Sequence, residues 1–153
     1  MKPTKNGVQD PVQDVHDWLG QVRKLDELIN AKLAERDQVL SLATGISTEM
    51  DGMPHASGKS DKVGNAAVKL ADLATEIGRL IDRYVDFKRD VVTALEQLPA
   101  NEYGVLHRYY IRYMTWEEIA QDMGYCTMQV WRYKVKGLRR LADVIECYTI
   151  PVV

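Results

Sequence analysis

The sequence predicts an all-α protein: a long antiparallel helical hairpin, coiled-coil-like in its periodicity, followed by a C-terminal three-helix unit ending in a helix-turn-helix. Three observations carry that expectation. Apolar residues from Leu70 to Leu98 recur in steps of three and four without a break, the spacing of a helix with one buried seam. Residues 115–138 hold two helix starts around a single glycine, Gly124, which is the punctuation of a helix-turn-helix. Signals for strands are scarce: the chain has one Phe, five Pro and few alternating β-branched runs.

Hydrophobic residues make up 46% of 153, enough for the core of one domain or two small ones. Residues 1–13 are polar, with Pro3, Gly7 and Pro11, and read as a flexible N-terminus. Asp14 is placed to cap a first helix running to about Ala43. Its apolar stripe is Val15, Trp18, Val22, Leu25, Ile29, Leu33, Val39 and Leu40, losing register near Arg36. Glycines and serines between about 44 and 65 read as a flexible loop, given some positive character by His55, Lys59 and Lys62. The seam of Leu70, Leu73, Ile77, Leu80, Tyr84, Phe87, Val91, Ala94 and Leu98 then needs a partner. The first helix, folded back to complete a hairpin over 14–98, is the nearest one; a second copy of the chain is the alternative.

Pro99 ends the seam, because its ring and missing N–H oppose helix continuation. From there a compact domain spans 99–148, with 149–153 as an apolar tail. Asn101 is expected to cap a helix from Glu102 to about Met114 whose buried side holds Tyr103, Leu106, Tyr110 and Ile111. Thr115 and Glu118 have the spacing of a capping box. Ile119, Ala120 and Met123 share an apolar face, and Gly124 is placed to end that short helix in a left-handed turn. Thr127 is expected to cap the last helix, with Val130, Tyr133, Gly137, Leu138 and Leu141 facing inward.

Charge is what gives this last helix a function. The net charge is −2, so a surface for nucleic acid has to be local. Residues 1–98 carry thirteen basic and sixteen acidic side chains, whereas 99–153 carry seven and six. Five of those seven lie between Arg132 and Arg140, with no acidic residue among them. A basic second helix in a capped pair fits docking in the DNA major groove. The outward stripe holds Met128, Gln129, Trp131, Arg132, Val135 and Lys136. Gln129 suits adenine and Arg132 guanine through bidentate hydrogen bonds, and Met128 or Trp131 suits a thymine methyl. Thr127, Lys134, Lys136, Arg139 and Arg140, with Arg108 and Arg112 from the preceding helix, are the expected phosphate contacts.

Other chemistries find no support. Cys126 and Cys147 are too few and wrongly spaced for a zinc site or a disulfide framework, and His16, His55 and His107 do not cluster with them. Glu117 and Glu118 are paired carboxylates, but both sit in a first helical turn where the dipole favours acids. No catalytic constellation, cofactor or metal is expected. No apolar run approaches the roughly 18 residues of a membrane span, and residues 1–5 lack an apolar signal core. A reduced, cytoplasmic protein without a membrane partner is therefore expected.

Trp116, Glu117, Glu118, Ile119, Ala120, Met123, Gly124 and Tyr125, followed by Val130, Arg132, Tyr133, Gly137, Leu138 and Leu141, resemble the fourth conserved region of bacterial sigma factors. With Leu106, Tyr110 and Ile111 ahead of them, they are also similar to phage- and prophage-encoded regulators of the RinA/ArpU type. The specific part covers about residues 103–142, and the hairpin agrees in architecture only. Thr127 fits the Ser or Thr usual at the second cap of such motifs, while Gly137 stands where alanine is common. The resemblance implies a non-catalytic, sequence-specific DNA-binding regulator of late phage genes in a bacterial host cell. Its implied partners are double-stranded promoter or operator DNA, RNA polymerase and a homodimeric copy joined through the helical half. Two other readings share the architecture: an oligomeric, small-terminase-like DNA-packaging component, and a protein-interaction module that no longer reads DNA.

Overall fold

The computed structural model describes residues 10–45 and 58–145. Among them the secondary structure is entirely helical: α1 (Pro11–Gly45), α2 (Gly58–Leu95), α3 (Ala100–Tyr110), α4 (Trp116–Met123) and α5 (Thr127–Ile145). The centre of the expected loop, His55, Cys147, the tail at 149–153, residues 1–9 and the side chains of Lys59 and Lys62 lie outside the described residues. No described helix is long and apolar enough to cross a membrane.

The starts of the first three helices differ from the sequence reading. α1 begins at Pro11, and Asp10 rather than Asp14 opens it. The Asp10 side chain accepts from the Val12 N–H at 3.1 Å, and its carbonyl accepts from Gln13 and Asp14. Proline suits this first position, where its missing N–H would be unpaired anyway. α2 begins at Gly58, within the stretch expected to be loop. A helical glycine costs only about 1 kcal/mol relative to alanine, and the 38 residues of α2 accommodate Gly64, beside which lies open space. α3 is preceded by Pro99 with no side-chain cap, so Asn101 lies inside the helix. α3 also stops at Tyr110 instead of about Met114; Tyr113 then turns the chain through a left-handed φ of 56°.

Two compact units are present, residues 25–85 and residues 1–24 with 86–153. In the first, Lys32 pairs with Glu76 at 3.3 Å and Glu35 with Lys69 at 3.5 Å. Higher numbers on α1 meet lower numbers on α2, so the two helices run antiparallel. Exposed ion pairs of this kind contribute little energy. The pairing rests on Leu25, Ile29, Val39, Leu73 and Ile77, all buried, with Leu33, Leu70, Leu80 and Tyr84 half-buried beside them. Leu40, read as the last residue of the α1 stripe, is exposed because Val39 takes the inward position after the register change at Arg36.

In the second unit Val15, Leu19 and Val22 of α1, Val91 and Leu95 of α2, and Leu98 are buried. Trp18 meets Phe87 edge-to-face, with ring centroids 5.7 Å apart. Leu19 and Leu95 are fully buried although neither falls on the predicted seams. A helix in a globular unit buries a face wider than a single 3–4 seam. Truncating Leu95 to Ala should cost about 2–5 kcal/mol, against about 0.5 kcal/mol or less for the exposed Leu40→Ala. Urea unfolding of both variants checks this, and equal losses would contradict the assignment of Leu95 to the core.

Candidate nucleic-acid interface

Local chemistry fixes α4 and the turn after it. Thr115 Oγ1 accepts from the Glu118 N–H, and the Glu118 carboxylate accepts from the Thr115 N–H at 2.9 Å, closing the capping box. Glu118 is thereby a capping residue, which accounts for one of the two adjacent carboxylates. At the other end Gly124 adopts φ 71°, and the Gly124 and Tyr125 N–H groups both donate to the Ala120 carbonyl. A side chain at that φ is strained by about 1–2 kcal/mol. The next helix starts one residue earlier than expected. The Cys126 carbonyl accepts from the Val130 N–H, which makes Cys126 the cap and puts Thr127 in the first turn.

Packing then sets the rotation of α5. Val105, Ile119, Ala120 and Val130 form a buried cluster among α3, α4 and α5. Farther along, Gly137, Leu138, Leu141, Ala142 and Ile145 are buried on the same side of α5. Gly137 is required by close approach: a Cβ there would lie 2.8 Å from Leu106 Cδ1 and 3.4 Å from Glu102 Cβ. Leu106, whose Cδ1 would have to move, is itself fully buried. This gives a physical reason for glycine at a position where alanine would make the better helix.

Polar contacts lock the same three helices. Asn101 accepts from the Tyr125 hydroxyl at 3.4 Å and donates to the Tyr133 hydroxyl at 3.3 Å, tying the start of α3 to the turn and to α5. The Glu102 carboxylate is buried and pairs with Arg140 Nε at 3.0 Å. Arg108 donates to Asp122 at 2.6 Å and to the Gly104 carbonyl at 3.1 Å. Near the end of α3, Tyr110 shares a hydrogen bond with His16 Nδ1, and burial pushes its phenol above the usual range.

These contacts divide the expected site residues into groups. Met128, Trp131, Arg132, Lys136 and Arg139 are exposed along one side of α5, with Gln129 and Val135 half-buried beside them. Thr127 and Arg112 are also exposed. Arg108 and Arg140, expected to reach phosphates, are instead held by Asp122 and Glu102. Lys134 is half-buried, with its ammonium over three aromatic rings. Sequence spacing marked all three as basic without showing what they bind, because Asp122, Glu102, Tyr109 and Trp116 lie on other helices.

Residues 94–143 match the family Sigma-70, region 4. The match takes in the last residues of α2, all of α3 and α4, and α5 to within two residues of its end. The region 4 assignment therefore covers the capping box, the Gly124 turn and the outward stripe of α5. Residues 94–143 are thus similar to a DNA-binding helix-turn-helix region. α1 and most of α2 lie outside region 4. No curated protein and no solved structure matches the chain.

Two predictions belong to this unit. Gly124→Ala should lose about 1–2 kcal/mol in urea unfolding, since no steric clash but only the positive φ opposes it; an unchanged midpoint would argue against the left-handed turn. His107 has its proton affinity lowered, first by burial and then by Arg112, Arg108 and Lys88. As pH falls through about 6.5 the unfolded chain protonates this imidazole before the folded chain does, so its contribution to stability is lost on acidification. Thermal melts at a series of pH values below 7.5 should show His107→Gln losing less stability than the parent. Parallel pH profiles would remove His107 from that dependence.

Proposed function

We propose that this chain is a sequence-specific DNA-binding transcription regulator whose α5 enters the major groove. The observation that carries the proposal is the exposed face of α5, where Arg132, Lys136 and Arg139 follow one another at helical spacing behind Met128 and Trp131. The region 4 match supports the same reading. Arg132 and Gln129, near the start of the helix, are the residues proposed to read bases, with Met128 and Trp131 against apolar edges. Lys136, Arg139, Arg112 and Thr127 are the proposed phosphate contacts. Arg108 and Arg140 act chiefly as internal braces.

RNA polymerase or a second copy of the chain is the proposed protein partner, and the helical half is the part proposed to engage it. The architecture, long helices ahead of a terminal region 4, supports a place among phage or prophage late-gene regulators working in the bacterial cytoplasm. If a two-fold dimer binds DNA, its half-sites should lie about one helical turn, or a multiple of it, apart.

Selection from a pool of random duplexes across a salt series tests the reading. The parent should enrich one sequence, and Arg132→Ala should reduce that preference by about ten- to a hundredfold while keeping its helical circular dichroism. Equal enrichment by parent and variant would take Arg132 out of the site. Uniform binding that fades with salt would leave a basic surface without sequence readout.

A further inference from the structure

At one corner of the region 4 unit, three helices contribute to a single aromatic cluster. Tyr109, in the last turn of α3, stacks on Trp116, the first residue of α4, with centroids 3.9 Å apart and planes 12° from parallel. Trp131 of α5 meets Trp116 edge-to-face at 6.4 Å. Lys134 lies one turn beyond Trp131 on the same helix. Its Nζ is 4.6 Å from the Trp116 ring centre, 4.7 Å from that of Trp131 and 5.6 Å from that of Tyr109.

An ammonium that bound a phosphate would extend into solvent on its flexible stem. Lys134 is instead half-buried, and among the described residues no carboxylate lies within ion-pair distance of it. Burial lowers its proton affinity without any nearby charge to restore it. The ring faces supply the negative potential that replaces lost water. Trp131 is the one ring of the cluster with a large exposed surface, 51%, and it lies on the outward face of α5. Without the lysine its indole would keep a single edge contact with Trp116.

We infer that Lys134 is a positioning residue: its caged ammonium holds the Trp131 indole in the pose that meets a base edge, and it does not contact phosphate. Resting on the DNA-reading proposal above, the inference assigns Trp131 the apolar part of sequence discrimination. It also removes one cation from the expected phosphate contacts. The conservative replacement Lys134→Arg keeps a cation over the rings, whereas Lys134→Met keeps the stem and removes the charge.

The test uses the full chain labelled with 5-fluorotryptophan, the Trp131 signal being assigned by its loss in Trp131→Phe. In Lys134→Met the Trp131 fluorine resonance should move toward the position of the free amino acid. The Trp18 resonance should stay in place, and Lys134→Arg should restore the parent spectrum. A Trp131 signal unmoved by Lys134→Met would overturn the inference. On duplex DNA, Lys134→Met should lower the affinity ratio of selected over random sequence about tenfold while leaving the salt slope unchanged. A slope reduced by about 0.9 for both duplexes, the mark of one lost phosphate contact, would also overturn it. If the parent binds no duplex, the DNA reading fails by itself, and the fluorine spectrum alone decides whether Lys134 positions Trp131.

Discussion

The close approach of α3 and α5 at Gly137 is the constraint on which the unit of α3, α4 and α5 depends. A Cβ at that position would meet Leu106 at 2.8 Å, so the separation of the two helices is set by the absence of a side chain. With Gly137 against Leu106, α5 can rotate little without pushing Val130 or Leu141, both fully buried, out of the core. That fixed rotation also turns Arg132, Lys136 and Arg139 outward together. Under the proposed reading, a recognition helix needs its side chains aimed before binding, and core packing would do that aiming. Glycine in the middle of α5 weakens that helix locally by up to about 1 kcal/mol, a cost offset by the tight packing it permits.

Electrostatics divides the basic residues between holding the unit together and facing outward. Glu102 is a buried carboxylate, and leaving it without Arg140 would strand a charge out of water. The pair fixes α5 on α3 more by the penalty for separating them than by net attraction. Arg108 links α3 to α4 through Asp122, but Asp122 is exposed and that pair contributes little energy. Lys134 is stabilised by rings rather than by an acid. Of the five cations between Arg132 and Arg140, three thus remain outward-facing and unengaged by these contacts. The run that stands out in sequence is a mixture of surface and scaffold.

Features written in consecutive residues were legible in the sequence, and features made by distant residues were not. The capping box of Thr115 and Glu118 and the turn at Gly124 depend on backbone chemistry a few residues wide, and the structure has both. The α2 seam was legible because every position from Leu70 to Leu98 that it names is buried or half-buried. Helix starts were harder to read. Asp10 and Asp14 are both plausible caps, and Pro11 decides between them only when its preference for the first helical turn is weighed. Asn101 has the right residue type for a cap but spends its amide on Tyr125 and Tyr133. The acids that hold Arg108 and Arg140, and the Trp116 and Tyr109 rings beside Lys134, come from other helices, so no local pattern announces them. The same holds for Gly137, which looks like a weak helix position until Leu106 is placed beside it.

The charge balance bears on how such a protein would occupy DNA under the proposed reading. Attraction to a duplex grows with the number of phosphates neutralised, at about 0.9 in the salt slope for each. Lys136, Arg139 and Arg112 offer three such contacts, and the chain as a whole carries a net charge of −2. Long-range attraction is therefore weak, and non-specific binding should fall toward the weak end, about 10⁻⁴ M, of the usual range at physiological salt. Two bidentate base contacts at about 1–3 kcal/mol each tighten this by roughly one and a half to four and a half orders of magnitude. At the lower end a single unit would not hold its site against genomic competition. A tethered partner, whether polymerase or a second copy, supplies the missing occupancy by raising the local concentration of the reading helix at the DNA. On this reasoning the small number of free cations on α5 is a reason to expect the helical half to act in recruitment, since the reading helix is specific in its geometry but weak in its grip.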